Sequence, residues 1–111
     1  MSRVYVLASN KPLTGMEELN YYRRAVEELG YPMKPFRYEL ALENKEKDLE
    51  NLRSCLEKNF SPGEVLELWS VWVGDVNRKC PPRFQGRLTD FDMDALEQFL
   101  SAEEICFDIM I

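Results

Sequence analysis

Residues 64–74 read Glu-Val-Leu-Glu-Leu-Trp-Ser-Val-Trp-Val-Gly, and this stretch decides the fold. Val65, Leu66, Leu68, Trp69, Val71, Trp72 and Val73 make it an almost unbroken apolar run. Such β-branched and aromatic side chains suit a crowded pleated surface and fit poorly on a solvated one. Successive side chains of a strand alternate faces, so Leu66, Leu68, Ser70 and Trp72 share one side. Val65, Glu67, Trp69, Val71 and Val73 share the other. Both sides are mostly apolar, and each carries one of the two tryptophans. The stretch is therefore expected to be a central strand covered on both faces.

Working outward, Ser61-Pro62-Gly63 breaks the chain just before this strand. Upstream of the break, Leu49, Leu52 and Leu56 recur at helical spacing among Glu and Lys, which predicts a helix from Lys45 to about Asn59. Before it, Phe36, Tyr38, Leu40 and Leu42 alternate with Arg37, Glu39 and Ala41, the pattern of a strand with one buried face and a good edge candidate. Near the start, Arg3–Ala8 reads as a strand. Thr14 and Glu17 have capping-box spacing, and Leu19, Tyr22, Val26 and Leu29 follow before Gly30. That pattern predicts a helix over residues 15–29.

Downstream, residues 75–88, DVNRKCPPRFQGRL, follow neither period and read as a long loop of the kind that often carries function. A third helix is expected from Thr89 as N-cap to about Leu100, with Asp90, Asp92 and Asp94 favouring the positive end of its dipole. Ile105, Phe107, Ile109 and Ile111 share one face of a last strand. So apolar a segment is expected to be paired inside the sheet. The whole is a single domain over residues 1–111, of α/β (or α+β) class. It has two or three layers and one mixed four-stranded sheet with three helices, in the order βαβαβαβ.

Composition narrows the function classes. The chain has 111 residues, 45% of them hydrophobic, with twenty acidic residues against fourteen basic ones and a net charge of −6. That balance argues against a nucleic-acid-coating role, which needs a basic field, and is compatible with docking on a basic partner. No apolar run reaches the ~18 residues of a membrane span, and Val4–Ala8 lacks a cleavage pattern. Cys55, Cys80 and Cys106 are odd in number and scattered, as reduced thiols of a cytoplasmic protein would be.

The sequence contains no histidine, the commonest general base and metal ligand, and three scattered cysteines do not make a closed zinc site. Asp90-x-Asp92-x-Asp94 lacks the glycine and glutamate of a calcium loop, having Ala95 and Ser101 instead. Neither phosphate-binding glycine motif is present, so no metal or cofactor is expected. Glu67 reads as a carboxylate in a pocket or, more simply, as an edge position facing solvent.

One segment stands out. Arg78, Lys79, Arg83 and Arg87 put four cations within ten residues of an acidic chain, beside Phe84. Guanidinium forks match phosphate or carboxylate, and Phe84 could anchor a protein partner. Equally, the cations could simply offset an acidic surface. Cys80, among these cations, is the candidate reactive thiol, while Cys55 and Cys106 suit packing. Tyr21, Tyr22 and Tyr31 with Arg23 and Arg24 offer a base-stacking surface that the net charge disfavours.

The sequence thus predicts a small cytoplasmic, non-catalytic protein-interaction or regulatory module with a protein partner. The alternative is a small-molecule anion binder, or an enzyme using Arg and carboxylates, with its site at the 75–88 loop. A homodimer is open to the chain if the apolar last strand or an uncovered sheet face meets its mate across a two-fold axis.

Overall fold

A computed structural model describes residues 2–43, 45–74 and 81–111. In order, the elements are β1 (Ser2–Ser9), α1 (Arg23–Glu28), β2 (Phe36–Glu39), α2 (Lys45–Asn59), β3 (Val65–Val73), β4 (Arg83–Arg87), a 3-10 turn (Leu88–Asp90), α3 (Met93–Ser101) and β5 (Ile105–Met110). One mixed sheet runs in the order β2-β1-β3-β5-β4. All neighbours are antiparallel except β4 and β5, which are parallel. The expected central strand is the middle strand, and the strand at Phe36 lies at an edge. The apolar last strand is paired on both sides, so it offers no edge to a second copy.

Alternation along β3 divides the core in two. Leu66 and Leu68 join Leu7, Ile105 and Ile109 under Leu49, Leu52 and Leu56 of α2 and Leu96 and Phe99 of α3. On the opposite face, Trp69, Val71 and Val73 join Val4, Val6 and Ala8 under Leu19, Val26 and Met33. Each fully buried large side chain contributes roughly 1.5–3 kcal/mol relative to exposure. Trp69 is also stacked on Tyr31, with ring centroids 5.7 Å apart and planes 11° from parallel.

Three expectations need correction. The sheet has five strands, because residues 83–87 form β4 within the segment read as a loop. That strand has no β-branched residue and contains Gly86, so its local signal is weak. The first helix spans only Arg23–Glu28. The Thr14–Glu17 box does not form, because Asn59 Oδ1 accepts from the Thr14 N–H at 2.8 Å and Asn59 Nδ2 donates to its carbonyl. Residues 17–19 run extended along β2 instead, where the Leu19 N–H donates to Arg37 O and Glu17 O accepts from the Glu39 N–H. Gly30 does follow the shortened helix with a positive φ of 72°, a conformation that suits glycine. Finally, Asp92 rather than Thr89 caps α3, accepting from the Ala95 N–H at 3.0 Å. The 3-10 turn that buries Leu88 delays the helix by one turn.

Candidate functional site

The two faces of the sheet are not equally covered. On the face that carries Trp69, α1 and the segment before β2 shield β1 and the β1 side of β3. Over β5 and β4 the same face lies open, as a groove of about 660 Å³ lined by Val65, Arg83, Gln85, Gly86, Arg87, Asp108 and Met110. Residues of β3, β5 and β4 bring charge into this half by register. Glu67 lies directly opposite Asp108, and Gln85 pairs with Asp108 from the other side.

Two carboxylates opposite one another on neighbouring strands repel. Arg83 resolves the conflict. Its Nε and Nη2 donate to both Asp108 oxygens at 3.1 and 2.6 Å, and Nη2 also reaches Glu67 Oε2 at 3.0 Å. Its guanidinium sits 5.2 Å from the Trp69 ring centre, a cation–π contact. The other Glu67 oxygen accepts from the Lys34 N–H at 2.8 Å and from Trp69 Nε1 at 3.2 Å. Glu67 is thus 4% exposed and fully satisfied, so the expectation of a solvent-facing edge position is overturned. The charge-assisted bonds from Asp108, then from Glu67, raise the guanidinium's proton affinity further.

This geometry separates the residues that the sequence groups together. Arg78, Lys79 and Cys80 lie outside the described residues. Arg83 and Arg87 project from one side of β4 and Phe84 from the other, where its ring lies 5.6 Å from that of Phe107. Phe84 is 42% exposed, but it is no anchor within the cationic groove. Arg83 is committed to carboxylates of its own chain. Arg87, by contrast, has no carboxylate partner among the described residues. The tyrosines do not form one platform either. Tyr31 is stacked on Trp69, Tyr21 and Tyr22 meet edge to face, and Arg23 and Arg24 pair with Glu27 and Glu28.

The β4 edge is the feature sequence reasoning missed. Within a strand, the N–H and C=O of one residue point to one side and those of the next residue to the other. The Cys106 N–H donates to Pro82 O at 2.9 Å, which sets the phase. Phe84 and Gly86 therefore face β5, while Arg83, Gln85 and Arg87 turn their backbone groups outward. All five residues of β4 are exposed, and no described strand lies beyond it. The available signal was the alternation Arg-Phe-Gln-Gly-Arg between two prolines and a buried leucine.

Cys106 lies beside this site but is fully buried. Burial pushes its thiol up to about 12, against the opposing pull of Arg83, so it is an inert packing group. Among the described residues no cluster of Cys, Asp and Glu could hold a metal, and no helix is long and apolar enough to cross a membrane. No protein family, curated protein or solved structure matches the chain.

Proposed function

We propose that the protein is a cytoplasmic, non-catalytic interaction or regulatory module that docks a protein partner on β4 and the open half of the sheet. The observation that supports this reading is the outward-facing backbone of β4, exposed along its whole length beside a groove that no described helix covers. Free strand edges are templates for pairing, and proteins ordinarily blunt or cover them. At its other edge this chain does so, laying residues 17–19 against β2. The anion-site alternative is the weaker one. Of the described cations in the segment, Arg83 is already neutralised, which leaves Arg87 alone to hold an anion.

A photo-crosslinking amino acid at position 85, compared with one at position 50 on the exposed side of α2, tests the reading in cells. One defined adduct from position 85 and none from position 50 is the expected result. Equal yield from both, or none from position 85, would sink it.

A further inference from the structure

Resting on that reading, the geometry points to the way the partner binds: an extended segment of alternating acidic and apolar residues adds as a strand to β4. Main-chain hydrogen bonds supply affinity in such strand addition, and the alternating side chains supply specificity. Pro81 and Pro82 close β4 at one end and the 3-10 turn at Leu88 closes it at the other. The footprint is therefore short, about 17 Å of strand. Within it, Arg83, Gln85 and Arg87 each offer an outward N–H and C=O.

Charge selects the occupant. A second copy of the chain, paired antiparallel about Gln85, would use every outward group but set Arg83 against Arg87 of its mate twice. Like charges directly opposite are destabilising. Shifting the copy by two residues places Arg opposite Gln, but runs β4 into the prolines or the turn and leaves outward groups unpaired. A foreign strand has no such conflict. Acidic residues on its groove side meet Arg87, which has no carboxylate partner among the described residues, and skirt Gln85 and the exposed edge of Arg83. Its other side faces Phe84 and Gly86. A Cβ at Gly86 would meet nothing within 4 Å, so apolar side chains find room beside the Phe84 ring. Cationic residues on the groove side would meet Arg87 and are refused.

The test uses the full chain and a fluorescent peptide of about seven residues alternating glutamate and valine, a typical strand length. Its lysine–valine counterpart serves as control. Anisotropy should show saturable binding of the glutamate peptide, weakened by salt, and none of the lysine peptide. Arg87→Gln should weaken binding about fivefold, the upper end for one exposed ion pair. Gln85→Pro removes an outward N–H without touching the β5 ladder and should weaken it at least tenfold. If that variant unfolds, a glutamate peptide N-methylated at alternate residues replaces it and should fail to bind. Equal binding of both peptides, no saturable binding, or indifference to both Gln85→Pro and N-methylation would overturn the proposal. So would a concentration-dependent dimer, seen by sedimentation, that Gln85→Pro abolishes. Peptide failure with continued crosslinking at position 85 overturns strand addition alone; failure of both overturns the docking surface as well.

Discussion

The two halves of the Trp69 face are built by opposite rules. Under Leu19, Val26 and Met33, β1 and β3 present the apolar side chains of Val4, Val6, Ala8, Val71 and Val73. Over β5 and β4, the same face presents Glu67, Asp108, Arg83, Gln85 and Arg87. The seam is Trp69, stacked on Tyr31 of the covered half and in cation–π contact with Arg83 of the open half. The difference teaches that the uncovered half is organised for exposure. Arg83 pairs with Glu67 and Asp108, so the surface stays ordered without a covering helix among the described residues, while Arg87 has no carboxylate partner among them and no described strand lies beyond β4.

The comparison can be broken from either side. In the covered half, Leu19→Ala should leave a cavity and cost about 2–3 kcal/mol, read from urea unfolding at pH 7. In the open half, Arg83→Met should cost about 2 kcal/mol by stranding Glu67 opposite Asp108. That figure lies below the usual range for a broken buried pair because Arg83 is 39% exposed and partly screened. The two costs should differ in salt dependence. The Arg83→Met loss should shrink as added salt screens the repulsion between the two carboxylates, whereas the Leu19→Ala loss should not.

Cys106 sharpens the seam. Below the ordinary thiol value the group is protonated in both folded and unfolded chains and adds no pH dependence. As pH rises past about 8.5 the unfolded chain loses its proton first, so stability should fall by up to about 1.4 kcal/mol per pH unit. The fall would end only as the folded thiol ionises at about 12. Unfolding measured between pH 8 and pH 10 should show this slope, and Cys106→Ala should flatten it.

The edges form a parallel contrast with smaller effects. Glu39→Pro removes the donor to Glu17 O and should cost about 1 kcal/mol or more. Gln85→Pro removes an outward donor with no partner among the described residues and should change stability by less than about 0.5 kcal/mol, since proline is tolerated at such edge positions. Equal costs in thermal unfolding would remove the distinction between the closed edge and the open one.

What could be read from the sequence follows from the range of the interactions. β3, α2 and β5 carry their signal in local periodicity, so their spans and the central place of β3 were legible. The stretch from Thr14 to Tyr22 was misread because hydrogen bonds from Asn59 to Thr14 and from β2 to Glu17 and Leu19 hold it, not the helical neighbours that the pattern implied. β4 is a strand chiefly because β5 lies beside it. In the candidate site, Arg83 was legible as a cation, but its partners Glu67 and Asp108 lie 16 and 25 residues away in sequence. Nothing local reveals that pairing, nor that Phe84 points away from it.

Residue-resolved amide hydrogen exchange tests the central claim most directly. In the free protein the amides of Arg83, Gln85 and Arg87 should exchange quickly, while those of Phe84, Gly86 and Glu39 are protected. The account further predicts that the glutamate–valine peptide slows those three outward amides. Protection of Arg83, Gln85 and Arg87 equal to that of Phe84 and Gly86 before any peptide is added would contradict it, because the β4 edge would then already be closed.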